Sequence, residues 1–223
     1  MRMRALAEFA HYPCSAARPF WSALIYICSS ALLCTGAQAF SVSITPGTRS
    51  LFLQVGAGTM TGGNFNAGGT PGNNATINNV SVTVPAASLG TGSLAMNTDS
   101  TVTASPYNGR AFCTMPTQVY VGGFYRAPGT EQRAILSAAA PVSLTNASGN
   151  TIPFNKVSWV SAGTADSAPT IADGAFVGGA SQTLRRIARN TWFESCLQFS
   201  YANTQLVGSG EFKGTVIYTL TAP

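Results

Sequence analysis

GSGEFKGTVIYTL, residues 208–220, carries a two-residue period from end to end. Phe212, Gly214, Val216, Tyr218 and Leu220 fall on one side; Glu211, Lys213, Thr215, Ile217 and Thr219 fall on the other. A helix would bring together residues three and four apart. Alternation with β-branched and aromatic side chains instead describes a strand with one buried face. The chain ahead repeats the pattern in short pieces at 40–44, 51–55, 79–89, 111–125, 140–145, 151–160 and 191–202, punctuated by Gly, Pro, Asn and Ser. In 191–202 the better core face is Phe193, Ser195, Leu197, Phe199 and Tyr201, which leaves Cys196 on the opposite face. Two segments have a helical look, 130–140 and 182–190. Many short strands with turn residues between them predict an all-β sandwich with one or two short helices. No constant repeat length is present, which argues against a propeller or solenoid.

The first 39 residues read as an export signal. Arg2, Arg4 and Arg18 precede the apolar run FWSALIYICSSALLC at 20–34, and Ala37-Gln38-Ala39 supplies a small-x-small cleavage pattern before Phe40. A run of about 15 residues is short for a bilayer-spanning helix, which needs roughly 20, so no stable membrane insertion is expected. Cys34 offers a lipid attachment point, yet Leu33 stands where a small residue belongs. Residues 40–223 then form a single domain of ordinary size. Its nine basic and six acidic side chains leave a formal excess of +3. The only basic cluster, at 184–189, reads as a solvated helical turn or loop rather than a nucleic-acid footprint.

Cys14, Cys28 and Cys34 fall within the signal, leaving Cys113 and Cys196. An even pair in an exported chain predicts a disulfide. How Cys113 reaches the far face of the 191–202 strand is not readable from the sequence.

Chemistry is thinly provisioned. The single histidine, His11, lies in the signal, so a Ser-His-Asp triad and a His-ligated zinc site are both excluded from the exported part. The carboxylates show no paired or calcium-loop spacing. The Gly- and Asn-rich stretch at 56–79 has neither the lysine nor the helix of a nucleotide-binding loop. No enzymatic activity, cofactor or metal is expected. If a hydrolase were present, Asp99 and Glu194 would be its first candidates. Trp159, Trp192, Tyr120, Tyr125 and Tyr201 could stack on a carbohydrate, although core packing is the simpler role for large rings.

The segment at 194–220, with Gly210, Phe212, Gly214, Val216, Tyr218 and Leu220 in the order G-x-aromatic-x-G-x-V-x-aromatic-x-L, resembles the closing strands of bacterial pilus (fimbrial) subunits of the chaperone-usher type. Spore-coat-type secreted β-sandwiches end similarly. The resemblance implies an immunoglobulin-like, pilin-like sandwich lacking its last strand. A periplasmic chaperone fills that gap first, and the N-terminal extension of the next subunit fills it after an outer-membrane usher. Phe40, Val42 and Ile44 alternate at the expected mature terminus and are the candidate donor strand, though they fit an ordinary first strand equally well. The function so implied is a structural subunit of a surface fibre, passing through the periplasm to the cell surface. The alternative is a monomeric secreted or periplasmic binding module of adhesin type.

Overall fold

The computed structural model describes residues 40–130, 132–164 and 169–223. The expected signal, 1–39, lies outside the described residues. In chain order the strands are β1 (Ser41–Ser43), β2 (Ser50–Val55), β3 (Met60–Thr61), β4 (Thr70–Pro71), β5 (Val80–Ser81), β6 (Gly92–Ala95), β7 (Asn97–Thr98) and β8 (Gln118–Arg126). They continue with β9 (Ala134–Ala139), β10 (Ser143–Thr145), β11 (Thr151–Pro153), β12 (Val157–Ser161), β13 (Gly174–Ala175), β14 (Ser181–Ile187), β15 (Thr191–Asn203) and β16 (Ile217–Thr221). Short 3-10 turns at Ala86–Ser88 and Phe154–Lys156 are the only helical elements among the described residues.

The long strand β15 organises the larger sheet. Its first half lies between β1 and β8, with β2 outside β8; its second half lies between β12 and β6, with β13 outside β12. The sequence explains this central place. TWFESCLQFSYAN puts Phe193, Ser195, Leu197, Phe199 and Tyr201 on one face and Trp192, Glu194 and Cys196 on the other, and residues 192–197 are all buried. Its partner QVYVGGFYR is likewise buried along almost its whole length. A strand buried on both sides must lie inside a sheet with both faces covered.

The smaller sheet has the order β14-β9-β16. One core joins the two sheets: Val121, Tyr125, Phe193, Leu197, Phe199 and Trp159 from the larger, Ala134, Leu136, Ala138 and Ile187 from the smaller. The molecule is therefore an all-β sandwich.

Both segments expected to be helical are strands, β9 and β14. Ala, Leu, Gln and Arg favour helix only weakly, by tenths of a kcal/mol per residue, and tertiary packing overrides such preferences. In β9 the pattern Ala134, Leu136, Ala138 buried against Ile135, Ser137, Ala139 half-buried has period two. In β14 a bulge between Thr183 and Arg185 breaks the alternation that would have betrayed the strand.

The outer face of the larger sheet is also covered. Residues 97–117 fold over it and deliver Phe112 and Cys113 onto Phe40, Tyr120 and Cys196, while Phe65 and Tyr107 pack with Phe52, Phe124 and Trp192. This cover is what brings Cys113 to the far face of β15: the Cys113–Cys196 disulfide forms there, with a Cα–Cα distance of 5.4 Å. Asp99 steadies the start of the cover by accepting hydrogen bonds from Asn78 Nδ2 and from the backbone N–H and Nδ2 of Asn79, at 3.0, 2.8 and 2.7 Å. These neutral donors hold its pKa below the ordinary value.

Candidate assembly site

The closing segment is a strand over a shorter length than its alternation predicts. Residues 217–221 pair with β9, from Ile217↔Ala139 to Thr221↔Ile135. Upstream, Lys213 alone bridges to Thr145 at the end of β10, by two backbone hydrogen bonds of 2.9 and 3.0 Å. Six steps of chain from 139 to 145 thus face four steps from 217 to 213. The extra length is the detour at 140–142, where Pro141 has no N–H to give, Val142 accepts from Phe154 N (3.0 Å) and Ala140 accepts from Gly179 N (3.0 Å). The ladder breaks there, so the expected strand over 208–220 is corrected to two pieces.

The predicted faces survive the break. Phe212, Val216, Tyr218 and Leu220 pack against the core, and Ile217 is 62% exposed on the other side. Gly214 sits where a Cβ would come within 2.7 Å of the Phe154 ring and 2.9 Å of Leu144, so the motif glycine makes room for two core side chains. Gly210 has φ +147° beside Asn146, whose Oδ1 accepts from the N–H groups of Ser148 and Asn150.

β16, like β14, is an outer strand of its sheet. Among the described residues it is hydrogen-bonded to β9 alone, and its inward apolar residues are only half buried. Next to it runs β2, an outer strand of the larger sheet, bonded among the described residues to β8 alone. Arg49 Nη1 donates to the Pro223 main-chain oxygen at 2.8 Å and ties the start of β2 to the segment after β16. Two backbone edges with no further strand among the described residues therefore flank one seam of the sandwich, with Leu53 and Val55 on one side and Val216, Tyr218 and Leu220 on the other packed against the core. Unpaired N–H and C=O groups beside half-covered apolar side chains are the chemistry that accepts an added strand.

The candidate donor residues are placed elsewhere. Phe40, Val42 and Ile44 belong to the domain's own first strand, with Ser41↔Phe193, Val42↔Trp192 and Ser43↔Thr191 in register. Glu194 N donates to Phe40 O (2.9 Å), Ile44 N donates to Asn190 O (2.8 Å), and Phe40 and Ile44 are buried. In this structure 40–44 takes the part of an ordinary first strand, the role its alternation allowed equally well, because both ends of β1 meet apolar clusters on the outer face of β15.

Glu194 proves to be the most unusual polar side chain. It is fully buried between β15 and the cover. Ser105 Oγ donates to its Oε1 and Oε2 (2.8 and 2.7 Å), and Tyr120 OH donates to Oε1 (2.8 Å). Burial raises its pKa, and the hydroxyl donors oppose that rise. The indole N–H of Trp192 also lowers it from nearby, without the alignment of an ordinary hydrogen bond. Burial and the adjacent carboxylate push the Tyr120 phenol well up. Nothing in the spacing of the sequence joined Glu194 to Ser105. One signal was present: Gly122, opposite Glu194 in register, where a Cβ would lie 2.3 Å from Tyr120 OH. That glycine lets the Tyr120 ring lie along the strand and reach the carboxylate.

Trp159, Trp192, Tyr120, Tyr125 and Tyr201 are all buried, which assigns them to packing rather than to stacking on a ligand. Among the described residues no helix is long and apolar enough to cross a membrane, and no three His, Cys, Asp or Glu side chains gather as metal ligands would. No family model, curated protein or solved structure matches the chain.

Proposed function

We propose that this chain is a structural subunit of a bacterial surface fibre, an incomplete immunoglobulin-like sandwich that accepts a strand from a neighbouring subunit along β16. The observation that supports this is the seam between β16 and β2, where two free edges flank half-buried apolar side chains. On this reading the chain is exported, held in the periplasm by a chaperone that fills the seam, handed to other subunits at an outer-membrane usher, and has no catalytic role. A donor drawn from this chain's own 40–44 would first have to leave β15. Exposing Phe40 and Ile44 costs about 1.5–3 kcal/mol each, so a neighbouring subunit donates its 40–44 segment only where filling the seam repays that cost, whereas a free peptide of the same sequence carries no such penalty.

The position of β1 favours a second reading, a monomeric secreted binding module sealed by its own first strand. Thermal unfolding of the full chain with a peptide copying residues 40–55 separates the two. A strand-accepting subunit with the peptide at about 100 times Kd gains about 2.7 kcal/mol, or roughly 5–10 °C for a domain of this size. A Val216→Asp, Leu220→Asp variant should melt lower and gain nothing. No gain in the unsubstituted chain favours the monomer.

A further inference from the structure

Asparagine followed two residues later by serine or threonine occurs three times in the chain, at Asn74-Ala75-Thr76, Asn79-Val80-Ser81 and Asn146-Ala147-Ser148. In an exported chain this triplet is the acceptor pattern for an N-linked glycan, provided that it lies on an accessible loop. The fold treats the three differently. Asn146 is 7% exposed. Its Oδ1 accepts from the N–H groups of Ser148 and Asn150, at 3.1 and 2.8 Å. Its amide also lies against Gly210, where a Cβ would come within 2.9 Å of Nδ2. Asn79 is exposed, but its Nδ2 donates to Asp99 Oδ2 (2.7 Å) and its N–H to Asp99 Oδ1 (2.8 Å). Val80 and Ser81, which complete its triplet, form β5 and pair with Thr98 and Asn97. Extended chain rises about 3.3 Å per residue, so the ladder holds the Ser81 hydroxyl away from the asparagine it would have to serve.

Asn74 is placed otherwise. Residues 72–79 form neither helix nor strand, and 73–77 are all exposed. The loop is tied at both its bases: Gly72 N donates to Thr59 O (2.9 Å), and Asn78 Oδ1 accepts from Ala57 N (2.7 Å). Between them Thr76 N donates to Asn74 Oδ1 (2.9 Å), an Asx turn that folds the triplet back on itself. The turn uses the carbonyl end of the carboxamide and leaves Nδ2, the nitrogen that a sugar would join, outside it. Three residues on, Ile77 is 76% exposed, an apolar side chain that a glycan on this loop would shield from water.

On the reading of the chain as exported, and independently of the fibre reading, we propose that Asn74 is a site of N-linked glycosylation. The donor is an oligosaccharide joined to a lipid through a diphosphate, and an oligosaccharyl transferase brings it to the loop. The bond from Asn74 Nδ2 to the sugar C1 forms as the bond from C1 to the diphosphate oxygen breaks. The lipid diphosphate leaves with that electron pair, and Nδ2 gives up one proton to a base of the transferase. The Thr76 hydroxyl marks the asparagine for the enzyme. The same chemistry is withheld from Asn146 by burial and from Asn79 by the β5 ladder and Asp99.

The test is transfer in vitro to the purified, folded full chain, using a single-subunit oligosaccharyl transferase that accepts the bare triplet and its lipid-linked donor, with the glycan located by mass spectrometry. Expected is a glycan on Asn74, with at least about tenfold less on Asn79 and Asn146, whose triplets become available only when local structure opens. Asn74→Gln and Thr76→Ala should each abolish it at unchanged melting temperature, and Thr76→Ser should retain it. Free peptides copying 76–84 and 142–152 should accept the glycan, because nothing then holds those triplets; peptides that refuse it would sink the claim that the fold withholds them. The proposal is overturned by no glycan on Asn74 of the folded chain, by equal transfer to Asn79 or Asn146, or by a Thr76→Ala variant modified as before. Export plays no part in the purified reaction. A chain modified there, yet unmodified when made in cells carrying the same transferase and donor, faults the export reading and not the acceptor loop.

Discussion

Replacing Cys113 and Cys196 together by alanine tests how the cover is fastened. The bond joins positions 83 apart in sequence and lies wholly inside the outer-face cluster with Phe40, Phe112 and Tyr120. Removing a cross-link of that span returns about 4.5 kcal/mol of loop-closure freedom to the unfolded chain. A domain of this size moves its midpoint by roughly 2–4 °C per kcal/mol, so Tm should fall by roughly 10–18 °C. The loss has a location as well as a size. Residues 101–112 would then be held by Val102, Phe112 and the Ser105–Glu194 hydrogen bonds, and limited proteolysis should cut there first. Urea unfolding followed by the fluorescence of Trp192, buried beneath the cover, reports the midpoint directly. A change below about 1 kcal/mol with an unaltered m-value would refute the reasoning, because the cover would then hold without its cross-link.

The remaining predictions concern the polar pocket beneath that cover. Glu194 has a raised pKa in the folded state, so the native protein holds its proton more tightly than the unfolded chain does. The charged form therefore costs stability as pH rises from the unfolded glutamate value through the folded one, and costs nothing below both. Glu194→Gln should lose that dependence: urea melts at acid pH should place the two proteins close together, and melts at pH above neutrality should favour the variant. A gap that is the same at every pH would contradict the burial argument. Gly122→Ala would set a methyl 2.3 Å from Tyr120 OH and 2.8 Å from Phe193 O. It should cost about 1–3 kcal/mol of overpacking together with part of the Tyr120–Glu194 bond, read as a lower urea midpoint; a neutral result would mean that Tyr120 does not lie over that glycine.

Much of the sandwich was written in local alternation. The inward face of β15 and the inward set of the closing segment are where period two places them, because each strand has one uniformly apolar face. An even cysteine pair in a chain expected to be exported was enough to expect the disulfide, but the path of Cys113 was hidden. The cover at 97–117 is held by tertiary contacts, Ser105 to Glu194 and Phe112 to Tyr120, that no short-range pattern encodes. β9 and β14 escaped for two different reasons. One is built of helix-compatible residues whose weak preference tertiary packing overrides; the other interrupts its own period with a bulge. The last strand broke early because Pro141 and its neighbours turn their partner strand aside.

Amide hydrogen exchange across residues 212–222, with and without a strand-donating peptide, bears most directly on the acceptor edge. In an antiparallel edge strand, alternate N–H groups face the partner and the others face outward. Alone, the outward amides of Ile217–Thr221 should exchange much faster than those of β9 and β15, and bound peptide should slow them by at least about tenfold, a gain of about 1.4 kcal/mol in local protection. Protection equal to that of β15 before any peptide is added, or no change on adding it, would contradict the claim that β16 awaits another strand.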